Sequence, residues 1–196
     1  SRCWTRQSEA VRRGAVATGN RALVVGAGPI GLGVAFFARL SGAEVTVSDR
    51  DRARLEAVAA ITGASLLPAA DDMAQAVEAA TGGEGFDIVF DATGNARSME
   101  GGFGFVAHGG RYVLVSVVKG PISFMDPDFH RKEMTLIGTR NATDEDFDRV
   151  MTAMRAGEVA VDRIVTHRTP LFDAAKSIRH WAADKTGLIE ALVAID

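Results

Sequence analysis

Short apolar runs rich in Val and Ile alternate along the chain with segments in which apolar residues recur every three or four positions. The runs are typical of buried parallel strands, and the three-to-four spacing is typical of helices that cover a sheet. The pattern predicts six strands, at residues 21–26, 44–49, 65–67, 86–91, 111–118 and 133–138. We therefore expect an α/β fold, a doubly wound parallel sheet with the strand order 3-2-1-4-5-6.

The segments between these strands carry residues that start and stop helices. Asp51 can cap one helix, which Gly63 ends, and Thr143 with Asp146 resembles a capping box. Helices are predicted at about 29–41, from Asp51 to Gly63, from Asp71–Asp72 to Gly82–Gly83, near 96–107, after Thr143 and at about 172–183. The residues expected to face the core from three of them are Leu55, Val58, Ala59, Thr62, Met73, Ala76, Val77, Ala80, Phe147, Val150, Met151 and Met154.

The pattern also suggests how the chain is organised. Residues 1–20 read as an N-terminal leader and linker helix, and residues 21–160 as the domain that holds the six strands. Residues 119–132 contain glycine and two prolines, so a loop is expected there. Residues 161–196 form a C-terminal helix-strand extension that ends with an apolar strand at 188–195.

A glycine-rich motif follows the first strand and opens the first helix of the sheet. It comprises Gly26, Ala27, Gly28, Pro29, Ile30 and Gly31, a G-x-G-x-x-G pattern. Gly26 permits a sharp turn, Gly28 lets the backbone approach a pyrophosphate, and Gly31 lets the helix lie close to the sheet. In this context the motif predicts a Rossmann dinucleotide site at the helix N-terminus, and the alternative is a glycine-rich turn without a ligand.

The acidic residue that such a site uses for the adenosine ribose is predicted to be Asp49, 18 positions after Gly31. A carboxylate there accepts hydrogen bonds from ribose hydroxyls and repels a 2′-phosphate, so NAD is favoured over NADP. Arg50 leaves this preference open, because its guanidinium group could turn toward a phosphate. Arg54, one turn into the next helix, could stack on adenine. A solvated surface position is the alternative for both arginines.

Further candidates lie at the carboxyl ends of the fourth and fifth strands, where a doubly wound sheet binds its ligands. They are Ala92, Thr93, Gly94, Val115, Ser116 and Val117. Thr93 and Gly94 are expected to line the cofactor cleft, whereas Asp91 is expected to cap the next turn. Residues 115–117, at the end of the fifth strand, are expected to border the nicotinamide side of the cleft. An ordinary buried strand without a ligand is the alternative and accounts for these residues nearly as well.

Composition and charge exclude several classes of protein. The 196 residues include 22 basic and 25 acidic side chains, and this net charge of −3 argues against a nucleic-acid binder. The single cysteine, Cys3, excludes an intramolecular disulfide and a multi-cysteine zinc site. Residues 22–38 are uncharged but rich in glycine, so we expect a strand, turn and buried helix rather than a membrane span. Residues 1–20 carry four arginines and no apolar core, so no secretory signal is expected and the predicted location is cytoplasmic.

The sequence contains residues expected to bind a cofactor but no recognisable set of catalytic residues. The only tyrosine, Tyr112, has Ser116 four positions later, which excludes the Tyr-Lys pair of short-chain dehydrogenases. The four histidines show no metal-ligand spacing, and there is no nucleophile elbow. We therefore assign no catalytic residue and no metal ligand. A methyltransferase is a minor alternative, because its glycine motif usually lacks a Pro-Ile-Gly run into the helix.

Taken together, the motifs resemble the nucleotide-binding half of zinc-type medium-chain alcohol and polyol dehydrogenases. The segments that carry the resemblance are ALVVGAGPIGLGVAFFARLSGAEVTVSDRD, FDIVFDATGN, GGRYVLVSV, HRKEMTLIGTRNATDEDF and VTHRTPLFDA. The last two are most similar to a sugar-acid and polyol branch with idonate, galactonate, sorbitol and threonine dehydrogenases. The resemblance runs from about residue 10 to the end, and residues 1–7 match no motif of the family.

This resemblance implies NAD-dependent oxidation of a secondary alcohol on a polyol or sugar acid. In the family, a separate N-terminal domain supplies the catalytic zinc through a Cys, a His and a Glu, and no segment of this chain corresponds to it. Thr139 and Arg140, after the sixth strand, are implied to lie beside the nicotinamide and to contact cofactor or substrate. Glu190 stands near the place where the family usually has a basic residue.

The expected partners follow from the same resemblance. The sixth strand is predicted to leave an apolar sheet edge with Met134, Leu136 and Ile137, and such edges are normally paired or covered. Relatives pair that edge across a two-fold axis, so we expect a homodimer. A small-molecule alcohol is the expected substrate, with no nucleic-acid or membrane partner. The alternative function is a non-catalytic module that binds or senses a dinucleotide.

Overall fold

The computed structural model describes residues 2–69, 72–184 and 187–195. The chain divides into two compact units, residues 1–152 and 153–196. The first unit contains a six-stranded sheet with its helices, and the second contains a two-stranded sheet. None of the described helices combines the length and the apolar character needed to cross a membrane.

In the described part of the first unit, six parallel strands form one sheet in the order β3-β2-β1-β4-β5-β6. The strands are β1 (Arg21–Val25), β2 (Glu44–Ser48), β3 (Ser65–Leu66), β4 (Phe86–Asp91), β5 (Val106–Leu114) and β6 (Thr135–Gly138). The helices that begin in this unit are α1 (Arg2–Arg13), α2 (Pro29–Leu40), α3 (Arg52–Thr62), α4 (Met73–Thr81), α5 (Ala96–Gly102), α6 (Asp126–Arg131) and α7 (Asp144–Arg155). The predicted doubly wound sheet and its strand order are confirmed.

The centre of this sheet is buried on both faces. Residues 22–24 of β1 and 88–90 of β4 have no exposed surface, which explains why both strands are continuous apolar runs rather than alternating patterns. α1 packs against α2, where the Trp4 ring makes edge-to-face contacts with Phe36 and Phe37. The first helix of the chain is therefore part of the helical cover of the sheet.

The capping residues predicted for α3 and α4 act as expected. The Asp51 carboxylate accepts hydrogen bonds from the main-chain N–H groups of Ala53 and Arg54 at 3.1 and 3.2 Å. Asp72 caps α4 in the same way, at 3.0 Å. Asp71, the other residue proposed for that helix start, lies outside the described residues. Side-chain caps thus set the starts of both helices.

The junction between α5 and β5 differs from the sequence prediction. A 3₁₀ turn (Phe103–Phe105) follows α5 and leads directly into β5. The helix predicted near 96–107 therefore ends earlier than expected, and the strand predicted at 111–118 begins and ends earlier. The two phenylalanines of the turn and Val106 enter the core, which a continuing helix would not allow at such close spacing. The glycines at 109–110 then permit an irregularity where the register of β5 with β4 shifts.

The predicted loop at 119–132 contains a helix, α6. Pro127 occupies its first turn, and Asp126 and Asp128 place negative charge at its positive end, so the local sequence favours a helix start. Glu133, predicted to begin the sixth strand, has a φ of +49°. That conformation belongs to the turn that joins α6 to β6, and β6 therefore begins two residues later.

Two residues predicted to face the core are exposed instead. They are Ala80 of α4 and Phe147 of α7, the latter with 52% of its surface accessible. Val77 and Val150 of the same helices are buried. Each of these helices therefore contacts the rest of the unit through a narrower strip than its apolar pattern indicated.

The second unit contains α8 (Val161–Ile164), β7 (Val165–Pro170), a 3₁₀ turn (Leu171–Asp173), α9 (Ala174–Ala183) and β8 (Glu190–Ala194). β7 and β8 pair in parallel, with an irregular register near Val165. The predicted helix and final strand are present, each slightly shorter than 172–183 and 188–195. Its most exposed apolar side chains are Leu171, Phe172, Ile178 and Ile195. An isolated two-stranded sheet is only marginally stable, so this unit has a surface suited to a partner.

Candidate functional site

The glycine-rich turn between β1 and α2 packs tightly against itself. Gly26 has a φ of +104°, and its N–H donates to the Ser48 carbonyl at 2.8 Å. A Cβ on Gly31 would collide with the carbonyl oxygen of Gly26. Glycine is therefore required at both positions by the shape of the turn itself.

Gly28, in contrast, borders open space at the N-terminus of α2. An added Cβ would meet no atom within 4 Å, and its extended backbone (φ −75°, ψ −177°) is open to any residue. No side chain of the described residues caps the helix at this point, and the exposed Pro29 carries no N–H. Ile30 is half-buried behind it in the first turn. The space at Gly28 and the partial positive charge of the helix N-terminus together fit a pyrophosphate.

Asp49 follows β2 and contacts the glycine-rich turn. Its Oδ2 accepts a hydrogen bond from the Ala27 N–H at 2.6 Å, and its Oδ1 accepts one from the Asp51 N–H at 2.8 Å. These bonds fix the carboxylate, and each oxygen keeps a lone pair for a further donor such as a ribose hydroxyl. Arg50 is exposed, and the Arg54 Nε lies 3.3 Å from an Asp51 oxygen. Arg54 thus forms an ion pair with Asp51, the residue that caps the N-terminus of α3.

Asp91 is buried at the end of β4 and anchors the turn that follows. One oxygen accepts from the N–H and the hydroxyl of Thr93 at 2.9 and 2.7 Å, and the other accepts from the Ser98 hydroxyl at 2.8 Å. Burial raises the pKa of Asp91, while these hydrogen bonds act in the opposite direction. Because both oxygens are engaged within the protein, Asp91 positions Thr93, in line with the expected capping role.

The turn after β4 lies directly beside the glycine-rich turn. The Ala92 N–H donates to the Val25 carbonyl at 2.8 Å, and the Ala92 main chain lies 3.1 Å from the position of a Cβ on Gly26. The side chain of Ser116 lies 3.8 Å from the position of a Cβ on the exposed Gly94. The candidate residues from the ends of β1, β4 and β5 therefore form one continuous surface.

Residues 115–117 lie just beyond β5 rather than at its end, which corrects the sequence prediction. The N–H groups of Val115 and Ser116 both donate to the Asp91 carbonyl, at 3.0 and 3.3 Å. Two donors on one carbonyl turn the chain out of the sheet, and the Val117 side chain is left 74% exposed. These residues therefore reach the ligand edge as a loop.

A cavity of about 330 Å³ lies at the ends of β5 and β6. It is lined by Arg6, Val115, Val117, Thr139 and Arg140. The Thr139 N–H and hydroxyl both donate to the Leu114 carbonyl, at 3.2 and 3.3 Å, which holds this turn against β5. Arg6 has no counterpart among the residues singled out by sequence. Its position depends on how α1 packs, and no local motif signals that contact.

A larger cavity, about 500 Å³, lies between α5 and α6. Its walls include Phe103, Phe124 and Phe129. The Phe124 ring stacks on Phe103 and makes a tilted contact with Phe129. Met134, just before β6, also borders it. This cavity therefore opens at the edge of the sheet where β5 and β6 begin, opposite the glycine-rich turn, and is separate from the candidate cofactor site.

The described residues do not fit a catalytic zinc ion. Among them there is no group of three or more His, Cys, Asp or Glu side chains able to hold a metal, and such a site needs about three protein ligands. His130 instead lies 3.4 Å from Asp126 on its own helix, and His167 contacts the neighbouring Thr166 at 2.9 Å. The described residues therefore offer no set of ligands for a catalytic zinc ion.

The sheet order, the glycine-rich turn and the acid after β2 define a Rossmann-type domain. A family model described as zinc-binding dehydrogenase matches residues 29–156. The chain therefore belongs to the zinc-binding dehydrogenase family, as its resemblance to these enzymes implied.

The chain is also similar to individual dehydrogenases in sequence and in fold. The chain is 42% identical over 187 residues to L-galactonate-5-dehydrogenase of Escherichia coli (strain K12), covering 95% of this chain and 55% of that protein. Its fold matches an alcohol dehydrogenase of Escherichia coli CFT073 complexed with NADH, with a TM-score of 0.89, 21% identity and coverage of 99% of this chain and 58% of the other. It also matches a zinc-binding dehydrogenase of Sinorhizobium meliloti 1021 bound to NADP, with a TM-score of 0.80, 22% identity and coverage of 90% and 53%. The chain thus spans about half the length of these relatives.

Proposed function

We propose that this chain is the NAD(H)-binding half of a zinc-dependent dehydrogenase that oxidises a secondary alcohol of a polyol or sugar acid. The observation that carries the proposal is the open space at Gly28, at the N-terminus of α2 and next to the fixed carboxylate of Asp49. The family and the similarity to L-galactonate-5-dehydrogenase support the reaction class.

In this proposal, different residues of the site bind different parts of the cofactor. The first turn of α2 would hold the pyrophosphate, and Asp49 would accept hydrogen bonds from the adenosine ribose. Thr93, Gly94 and Ser116 would flank the nicotinamide half, with Thr93 held in place by Asp91. Bound NAD supplies the hydride acceptor for alcohol oxidation.

We further propose NAD rather than NADP as the preferred cofactor. Asp49 is held 2.6 Å from the Ala27 N–H and brings negative charge to the place where a 2′-phosphate would approach. Similar folds bind NADH in one protein and NADP in another, so this preference rests on Asp49 itself. Arg50 is the residue that could offset it.

The zinc ligands and most of the substrate pocket are proposed to lie in protein outside the described residues. The chain's relatives are about twice as long, and the exposed apolar side chains of the second unit, Leu171 and Phe172 among them, suit contact with a further domain. A cytoplasmic location and a homodimer remain part of the proposal.

Titration of NADH by cofactor fluorescence tests the proposal. Gly28→Ala should weaken NADH binding about tenfold or more, because its Cβ enters the space proposed for the pyrophosphate. The fold should be unaffected, since that Cβ meets no protein atom. Gly101→Ala in α5 is a matched control, because a Cβ there also meets open space. Equal NADH affinities of Gly28→Ala and the unmodified chain would contradict the proposal.

A further inference from the structure

The cavity at the ends of β5 and β6 presents two cationic side chains. Arg6 comes from α1 and Arg140 from the turn after β6, and both border the same space. In the described part of the chain, no ion pair or hydrogen bond engages either guanidinium group. Both side chains are exposed, and no acidic side chain of the described residues forms an ion pair with either of them.

A buried acid, Glu9, lies on the same helix as Arg6. Glu9 lies three residues after Arg6 on α1 and is 1% exposed. Burial raises the pKa of Glu9, while Arg13 and the main-chain N–H of Arg140 are close enough to lower it in part. Because residues three apart share a helix face, Arg6 is presented to the turn that holds Arg140.

The cavity lies on the nicotinamide side of the proposed cofactor site. β5 and β6 are the second and third strands from β1 in the sheet, which places their ends about 10–14 Å from the glycine-rich turn. Asp49 and the adenosine ribose belong on the opposite side of that turn, next to β2. The two arginines are therefore too far from that side to contact a 2′-phosphate, and they face the region where a substrate meets the nicotinamide.

We propose that Arg6 and Arg140 form a subsite for the carboxylate of an aldonate, the sugar-acid class of substrate. This rests on the proposed function, because it assumes that the substrate lies beside bound NAD. Planar guanidinium groups match a carboxylate better than any other side chain does. Val115, Val117 and Thr139 complete the lining of the cavity. A polyol has no anion to pair with the arginines, so the subsite selects a sugar acid over a polyol.

A matched pair of small molecules tests this subsite on the 196-residue chain. D-gluconate and D-glucitol differ only in the carboxylate that replaces one terminal CH₂OH, and binding of each is followed by isothermal titration or ligand-observed NMR, with and without NADH. Gluconate should bind about tenfold more tightly than glucitol, as expected for charge-assisted hydrogen bonds. Equal binding of the two, or no detectable gluconate binding, overturns the subsite.

Variants separate the subsite from the cofactor site. Arg6→Gln and Arg140→Gln should each weaken gluconate binding about tenfold and leave glucitol binding unchanged. Arg39→Gln, at the far end of α2, is the matched control and should bind gluconate normally. If Arg6→Gln weakens NADH and gluconate equally, the arginine serves the cofactor and the subsite is wrong. Failure of the unmodified chain to bind NADH contradicts the proposed function instead, and the gluconate preference measured without NADH still decides the subsite.

Discussion

At the scale of single residues, the glycine-rich turn contains glycines that the fold requires and one, Gly28, that we propose for cofactor binding. Gly31 has no room for a side chain, because the carbonyl oxygen of Gly26 lies against it. A Cβ on Gly28 would meet no protein atom within 4 Å. Gly101 has the same open space, but only Gly28 lies at the N-terminus of α2 and next to Asp49. This position is the reason we assign Gly28, and not Gly101, to the ligand.

Asp49 is expected to decide the choice of cofactor. NADH should bind about tenfold more tightly than NADPH, because a charge-assisted hydrogen bond to the ribose is replaced by repulsion of the 2′-phosphate. Asp49→Ala should narrow the difference, and parallel fluorescence titrations with the two cofactors measure it. Arg50→Ala is the companion variant. Equal affinities in the unmodified chain would mean that Arg50 compensates and that the preference is wrong.

Site residues could be predicted where a local motif fixes their environment. The turn at residues 26–31 and the acid at Asp49 are defined by a few consecutive positions, so spacing alone indicated their roles. Residues 115–117 could be placed at the correct edge but not in the correct conformation, because the Asp91 carbonyl that turns them is distant in sequence. Arg6 was missed, since only the packing of α1 brings it to the cavity.

At the scale of secondary-structure elements, the ion pair between Arg12 and Asp146 joins the first helix to α7. Arg12 donates two hydrogen bonds to the Asp146 carboxylate, each 2.9 Å long, and Thr143 donates two more to one of its oxygens. Burial alone would raise the pKa of Asp146, but these hydrogen bonds outweigh it and hold the pKa below its ordinary value. The predicted capping residue thus also ties two helices together.

Asp146→Asn should lower the free energy of unfolding by about 2 kcal/mol at neutral pH, the range for hydrogen bonds to a charged group. Because the folded pKa is depressed, this stabilisation is present above the unfolded value of about 3.9 and is lost as the pH falls through the folded value. The difference between variant and unmodified chain should therefore shrink in acid. Urea unfolding at neutral and acidic pH measures it.

Asp148→Asn provides the control for this ion pair. Asp148 lies on the same helix but is exposed, so its substitution should change the unfolding free energy by less than about 0.5 kcal/mol. An Asp146→Asn chain as stable as the control at neutral pH would show that the ion pair contributes nothing to joining the helices.

A strand could be predicted from the sequence where both of its faces are buried, because its apolar residues then form a continuous run. β4 was expected at residues 86–91 and is found at Phe86–Asp91, because the apolar residues 88–90 between turn residues are typical of a central parallel strand. The start of β5 and the helix α6 were not predicted. β5 begins early because core packing overrides the helical pattern after Gly102. In α6, Pro127 was interpreted as a loop residue, whereas it occupies the first turn of the helix.

At the scale of the whole molecule, the sheet ends in two exposed strands, β3 and β6. Met134, expected at the β6 edge, is buried in the core, so the apolar edge is smaller than the sequence indicated. Leu136 remains 37% exposed beside main-chain groups that face no further strand in the described sheet. Such an edge is suited to pairing with a second copy.

The homodimer predicted at this edge should be broken by Leu136→Lys, because a charge on an edge strand opposes pairing. Light scattering at micromolar concentration should show a dimer for the unmodified chain and a monomer for the variant. Leu66→Lys on β3 is the matched control, since Leu66 is 43% exposed on the opposite edge strand, and it should remain dimeric. A monomeric unmodified chain would contradict the prediction.

A protein made of these 196 residues should bind NAD(H) but oxidise no polyol, sugar acid or simple alcohol at a useful rate, with or without added zinc. The described residues offer no cluster of three metal ligands, and stabilising the alcohol oxygen through a metal contributes several kcal/mol to such reactions. The cleft residues identified above are proposed to hold phosphate and ribose, and we assign none of them the role of accepting the alcohol proton. NADH absorbance is followed with NAD, zinc and a panel of polyols and aldonates, in a preparation whose NADH binding is verified first so that misfolding is excluded. Steady zinc-dependent formation of NADH would show that the chain holds a metal site beyond those described residues.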